Sequence, residues 1–82
     1  MSDHHAPAPV RILDLRGVSC PLNYVKTRIA LEKVDPGKWL EVWLDHGEPE
    51  ENVPRSCEED GYPIRDLPDG DGYARLLVTR QG

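Results

Sequence analysis

The sequence lacks any apolar run close to the length that a membrane span requires. A membrane-crossing helix needs about 20 consecutive, mainly apolar residues, whereas charged residues make up 30% of this 82-residue chain. The first nine residues also lack the apolar segment of a secretory signal. We therefore expect a cytoplasmic protein with no membrane partner.

Cysteine is scarce, since Cys20 and Cys57 are the only two in the sequence. They do not have the Cys-x-x-Cys spacing of redox dithiols, and the cytoplasm keeps thiols reduced. Each is therefore expected to be reactive or buried rather than disulfide-bonded. Cys57 follows Val53 by four residues, which favours the buried face of a short helix. A redox switch between the two cysteines is the alternative.

Basic residues and histidines are also few. Ten Lys and Arg against fifteen Asp and Glu give a formal net charge of −5, which argues against direct binding to nucleic-acid phosphates. The charge permits attraction to a basic surface on a partner protein. His4, His5 and His46 do not have the spacing of zinc ligands, so we expect no metal site.

Hydrophobic periodicity predicts six elements in the order β-α-β-α-β-β. Strands are expected over residues 11–15, 39–44, 62–67 and 73–80, and helices over residues 21–33 and 52–60. The fold class that follows is an α/β two-layer sandwich (α+β), with both helices on one face of a four-stranded mixed sheet. Residues 1–9 are expected to form a disordered tail, and residues 10–82 a single domain.

The same periodicities predict which side of each element is buried. In the first helix, three residues spaced i, i+3 and i+7, with a fourth beside them, predict one buried apolar stripe: Leu22, Val25, Ile29 and Ala30. In the second strand, alternation predicts three core residues: Leu40, Val42 and Leu44. Trp39 and Trp43 then lie on the other face, where they are a candidate partner surface. Acidic residues 45–51 are expected to be a solvated loop, and Asn52 the N-cap of the helix that follows.

Cys20-Pro21, between the first strand and the first helix, is the most informative local feature. Proline is favoured at the first helical position because it has no N–H to leave unsatisfied, so Cys20 is expected to be the N-cap. The helix dipole there favours the thiolate, which is the reactive form. Lys26 and Arg28 lie one to two turns further along, where they stabilise the thiolate, dock an acidic partner or simply face solvent.

Several stretches carry a resemblance to a known family. Residues 13–21 read LDLRGVSCP, Pro36-Gly37 precedes the second strand, and later matches are Asp45, Asn52-Val53-Pro54 and Gly61-Tyr62. In these residues the chain resembles the TusA/SirA-like sulfur-carrier (sulfurtransferase) proteins over roughly residues 12–80. The resemblance implies the same β-α-β-α-β-β fold that the periodicities predict.

The resemblance also implies a function. Cys20 would be the catalytic residue, accepting sulfane sulfur as a persulfide and relaying it to a downstream acceptor protein. The donor it implies is a cysteine desulfurase or a rhodanese-like protein, and no cofactor is needed because the thiol carries the sulfur covalently. Pro21, Asn23, Lys26 and Arg28 would support the thiolate or the docking of a partner. This relay is sulfurtransferase chemistry whose turnover would depend on the partners.

Asn23 departs from the family pattern, whose usual motif is Cys-Pro-x-Pro. Asparagine loses the fixed φ of the second proline and adds polar groups within reach of Cys20 or of the backbone. The departure supports an alternative from another class, a non-catalytic protein-interaction or regulatory module of the same fold. Such a module would use the face that carries Trp39 and Trp43, or the acidic residues 45–51.

Overall fold

A computed structural model describes residues 7–81, in which two helices and four strands follow the predicted order. The strands are β1 (Arg11–Asp14), β2 (Trp39–Leu44), β3 (Ile64–Leu67) and β4 (Ala74–Thr79), and the helices are α1 (Leu22–Glu32) and α2 (Glu48–Glu59). The sheet order is β1-β2-β4-β3, with β1 parallel to β2 and the other two pairs antiparallel. The predicted α+β fold class is confirmed.

The core lies between one face of this sheet and the two helices. Leu40, Val42 and Leu44 of β2 are fully buried, as are Val53 and Cys57 of α2, so both predicted faces are confirmed. Each such side chain contributes about 1.5–3 kcal/mol of transfer free energy when it leaves water.

The buried stripe predicted for α1 is wrong at three of its four positions, since only Ala30 is buried. The other three side chains point outward and are 50%, 44% and 51% exposed: Leu22, Val25 and Ile29. The inward side carries two polar and two apolar residues: Asn23, Thr27, Ala30 and Leu31. The polar pair is tolerated there because it is hydrogen-bonded, with the Thr27 hydroxyl donating to the Asn23 carbonyl oxygen at 2.9 Å. The apolar pair supplies the contact with the core.

The second helix starts four residues earlier than predicted. Gly47 is the N-cap at φ 101°, and its N–H donates to Glu50 Oε1 at 2.8 Å. The acidic side chains expected in a solvated loop occupy the first turn instead, where they complement the positive end of the helix. The predicted loop is therefore wrong from Glu48 onward, and Asn52 is not an N-cap. Every other boundary agrees with the prediction or differs from it by one or two residues.

The sheet face opposite the helices is covered by its own side chains. Here Leu77 is fully buried and Glu41 is 5% exposed, although Trp39 and Trp43 are only half-buried. Trp43 Nε1 donates to Glu41 Oε2 at 2.6 Å, and Arg75 Nε donates to the same oxygen at 3.0 Å. This face therefore holds a buried carboxylate, one oxygen of which accepts two hydrogen bonds.

Two further sequence predictions concern the N-terminal tail and membrane-spanning segments. Most of the predicted tail, residues 1–6, lies outside the described residues. Within residues 7–81, neither helix is long and apolar enough to cross a bilayer.

Candidate functional site

The turn between β1 and α1 is anchored to the end of the neighbouring strand. Gly17 adopts φ 81°, a conformation in which a side chain would be strained. Its N–H donates to Asp45 Oδ2 at 2.8 Å. Asp45 directly follows β2, the parallel partner of β1, so one hydrogen bond ties the turn to the carboxyl edge of the sheet.

Arg16 provides a second anchor for the same turn. Its guanidinium donates to both carboxylate oxygens of Asp14, at 2.9 Å and 2.8 Å. It also lies over the rings of Trp43 and Tyr73, at 5.0 Å and 4.7 Å from their centroids. The hydrogen bonds from Arg16 lower the pKa of Asp14 to about 2, so this carboxylate stays charged at neutral pH.

Cys20 is exposed at the end of this turn, but it is not the helix N-cap. That position belongs to Pro21, and α1 begins at Leu22. The helix therefore begins one residue later than predicted. The Asn23 N–H donates to the Ser19 carbonyl oxygen at 3.1 Å and not to the sulfur, whose partners are side chains.

Two side-chain amides supply those partners. Asn23 Nδ2 lies 3.2 Å from Cys20 Sγ, and Asn52 Nδ2 of α2 lies 3.9 Å from it. Asn23 was a predicted supporting residue, and the structure brings it to the sulfur. Asn52 was missed as a site residue, although it stands in a stretch that carries the family resemblance.

Open depressions flank Cys20 on two sides. One is lined by the anchored turn together with His46 and two carboxylates, Asp45 and Glu48. The other is lined by α1 and α2 side chains that include Asn52, Arg55 and Ser56. His46 lies 3.2 Å from Glu50 and 3.8 Å from Asp69, yet within residues 7–81 no three His, Cys, Asp or Glu side chains could hold a metal ion. The thiol is therefore reachable from two directions.

Lys26 and Arg28 are exposed on α1, as expected for a solvated side. Lys26 does not line either depression beside Cys20; it lines a groove between β1 and α1 together with Arg11 and Lys33. Their roles in thiolate stabilisation or in docking stay predictions. Trp43, proposed as part of a partner surface, contacts Tyr73, with ring centroids 4.8 Å apart and ring planes at 38°.

Cys57 has the opposite environment to Cys20. It is fully buried beneath α2, and burial, aided by the carboxylates of Asp60 and Glu58, raises its pKa to about 12. Its thiolate is therefore almost absent at neutral pH.

We expect iodoacetamide to alkylate Cys20 in the native protein and to leave Cys57 unmodified until urea is added, as read by peptide mass mapping. Equal native modification of both thiols would contradict this.

Comparison with known proteins relates this chain to a protein family. The family model described as "Sulfurtransferase TusA" matches residues 11–80. A relative from Archaeoglobus fulgidus is 38% identical over 53 residues, and the match spans 65% of this chain but only 60% of that protein. One from Thermotoga maritima is 35% identical over 57 residues, spanning 70% of this chain and 72% of that protein. Both are curated as "Putative sulfur carrier protein".

A solved structure shows the same fold. The crystal structure of a SirA-like protein from Desulfitobacterium hafniense superposes with a TM-score of 0.73, covering 88% of this chain and 99% of that one. At 20% sequence identity this likeness establishes the fold alone.

Proposed function

The chain belongs to the sulfurtransferase TusA family, and we propose that it is a sulfur carrier that holds sulfane sulfur as a persulfide on Cys20. The observation that carries the proposal is the exposed Cys20 sulfur, set on an anchored turn and within 3.2 Å of the Asn23 amide. The carrier names of the two relatives agree with it. We expect the protein to act in the cytoplasm, where thiols stay reduced.

Loading is an exchange between a thiolate and a persulfide. The Cys20 thiolate attacks the terminal sulfur of a donor persulfide, R–S–SH, and a new S–S bond forms at Sγ. The S–S bond of the donor breaks, and its electron pair leaves with the donor thiolate, R–S⁻. Delivery repeats these steps with the Cys20 persulfide as donor and an acceptor cysteine as nucleophile. Because each step conserves electrons overall, this chemistry calls for no redox cofactor.

The test is to load the protein and weigh it. After incubation with a cysteine desulfurase and cysteine, or with a rhodanese and thiosulfate, we expect the intact mass to rise by one sulfur atom. The added sulfur should map to the peptide that contains Cys20, and dithiothreitol should remove it. A mass that does not change with either donor would overturn the proposal.

The donor protein is expected to dock on the outer stripe of α1, which consists of Leu22, Val25 and Ile29. Three aliphatic side chains on one side of a surface helix, each 44–51% exposed, form the kind of apolar centre that interfaces use. The stripe begins two residues after Cys20. A protein seated on it would therefore hold its own persulfide close to the Cys20 sulfur.

Charge next to the outer stripe indicates what the donor surface looks like. Arg11, Lys26 and Lys33 line the groove that runs beside Ile29. Within residues 7–81 none of these three cations forms an ion pair. In a chain with a net charge of −5, this is a local concentration of positive charge. We therefore expect a donor surface with an apolar centre and acidic residues along its edge.

Ile29→Glu is expected to slow loading by a cysteine desulfurase about tenfold, because it places a negative charge in the apolar centre and next to the acidic edge of the donor. Ile12→Glu is the matched control, since Ile12 and Ile29 are both 51% exposed but lie on different surfaces. Loading by glutathione persulfide should not change in either variant, because no docking is involved. Equal loading rates for the two variants with the desulfurase would exclude this docking surface.

A further inference from the structure

We infer that Asn23 and Asn52 form an amide pair that stabilises the Cys20 thiolate and thereby promotes its departure when sulfur is delivered. The two side chains approach the same sulfur from α1 and from α2. The part of the inference that concerns delivery rests on the proposed function, whereas the part that concerns the thiolate does not.

The orientation of the Asn23 amide is determined by its other contacts. Its Oδ1 accepts the backbone N–H of Tyr24 at 2.7 Å, and an N–H group can only donate. The NH₂ group must then face the other way, where it lies 3.5 Å from the Val18 carbonyl oxygen and 3.2 Å from Cys20 Sγ. Asn23 is fully buried, so these protein groups take the place of water around it. The sulfur therefore meets a donor, not an acceptor.

The Asn52 amide is oriented in the same way by a cation. Arg55 Nη2 donates to Asn52 Oδ1 at 2.6 Å, and a guanidinium has no acceptor atom. The Asn52 NH₂ group is left to point toward Cys20 Sγ, at the longer distance of 3.9 Å. We therefore expect Asn52 to contribute less than Asn23, with Arg55 as its positioning residue.

Two N–H donors on one sulfur favour the state in which that sulfur carries negative charge. In the thiolate the charge lies on Sγ. In the persulfide it lies on the terminal sulfur, and Sγ becomes a neutral divalent sulfur, which is only a weak acceptor. The amide pair thus stabilises the thiolate relative to the persulfide.

Sulfur delivery is favoured by this stabilisation of the Cys20 thiolate. The thiolate of the acceptor attacks the terminal sulfur of the Cys20 persulfide, forming a new S–S bond as the bond to Sγ breaks. The electron pair of the broken bond returns to Sγ, where the two amides receive it. Exchange is faster when the leaving thiolate is more stable. The proline of the usual family motif has no side-chain N–H, so this device belongs to the Asn23 departure.

Alkylation by iodoacetamide tests the thiolate without any sulfur transfer. At about pH 7 we expect Asn23→Ala to react roughly threefold more slowly at Cys20, and Asn52→Ala to be slowed by less than about twofold, because losing a donor reduces the amount of thiolate more than it raises the reactivity of each thiolate. At about pH 10 neither variant should react more slowly than the wild type, because a thiolate without these donors is the stronger nucleophile. Slowing that persists at high pH would show obstruction or distortion instead and would overturn the inference.

One further variant and a check of folding make this result decisive. Ser56→Ala changes the same depression without removing a donor to the sulfur, and its alkylation rate should match the wild type. Because Asn23 is buried, folding of its variant is checked by circular dichroism. If that variant does not fold, the half-exposed Asn52 provides the decision, and an unchanged rate for Asn52→Ala at about pH 7 overturns the inference.

Cyanide tests the leaving-group step. It takes the terminal sulfur of the Cys20 persulfide as thiocyanate and leaves the Cys20 thiolate, so no partner protein is needed. Persulfide prepared with glutathione persulfide should release thiocyanate several-fold more slowly in Asn23→Ala than in the wild type. An equal rate overturns the delivery part of the inference. Failure of the wild type to form a persulfide would instead refute the proposed function, while the alkylation result would stand.

Discussion

Cys20→Ser is expected to abolish sulfur loading completely and to leave the fold unchanged. Serine has nearly the shape of cysteine, but its hydroxyl cannot form the S–S bond on which the carrier depends. Cys20 is exposed, so the exchange should alter the free energy of unfolding by no more than about 0.5 kcal/mol. Intact mass after incubation with a desulfurase and cysteine measures loading, and urea unfolding measures stability.

Cys57→Ala is the matched control for that experiment. It removes the buried thiol at a cost of about 1 kcal/mol but leaves the sulfur-accepting cysteine in place, so loading should persist. A redox switch between the two cysteines makes a separate prediction: mild oxidation of the wild type removes two hydrogens, and Cys57→Ala abolishes that mass change. A mass gain that survives in Cys20→Ser would refute the assignment of Cys20 as carrier.

A non-catalytic interaction module makes a different forecast for the same proteins. It predicts that no donor loads the wild type, while a partner binds the wild type and Cys20→Ser equally well. The sulfur-carrier proposal predicts that loading separates the two proteins. One set of mass and binding measurements therefore distinguishes the two functional classes.

Local periodicity correctly predicted both the bounds and the buried side of β2. Residues 39–44 alternate strictly, and β2 has those same bounds with Leu40, Val42 and Leu44 fully buried. The strand signal succeeded because alternation records burial directly, residue by residue. The order of elements and the fold class followed from the same kind of pattern.

The orientation of α1 could not be predicted in this way. The spacing of Leu22, Val25 and Ile29 identifies one side of a helix, but it does not say whether that side meets the core or a partner. The opposite side carries Asn23 and Thr27, whose burial depends on hydrogen bonds that form only in the folded chain. Periodicity therefore identified the apolar side of α1 but not the direction in which that side faces.

The two asparagines beside the Cys20 sulfur differ in how far they lie from it in the sequence, and only the nearer one could be predicted. Cys20 and Asn23 are three positions apart, so their contact was within reach of the sequence. Asn52 lies 32 positions from Cys20, and its approach to the sulfur exists only because α2 packs beside α1. Its family-like surroundings were a signal, but its assignment as an N-cap concealed the role.

Glu41→Ala is expected to lower the free energy of unfolding by about 3 kcal/mol, a large part of the roughly 5–10 kcal/mol available to a domain of this size. Glu41 is 5% exposed, and one of its oxygens accepts hydrogen bonds from Trp43 and Arg75. Removing it leaves the guanidinium and the indole N–H partly buried without their acceptor. Urea unfolding at neutral pH measures the loss, with Glu32→Ala, at an exposed position on α1, as the control expected to cost little.

The same carboxylate makes that loss depend on pH. Burial by itself would raise the pKa of Glu41, but the hydrogen bonds from Trp43 and Arg75 outweigh it and lower the pKa below the ordinary 4.5. A group whose pKa is lower in the folded state stabilises the fold above its unfolded pKa, and that contribution is lost as pH falls through the folded pKa. The difference in unfolding free energy between the wild type and Glu41→Ala should therefore be constant near neutral pH and shrink below about pH 4.5. A difference that stays unchanged to about pH 3, or a neutral-pH cost no larger than that of Glu32→Ala, would show that Glu41 does not stabilise this face of the sheet as a charged acceptor.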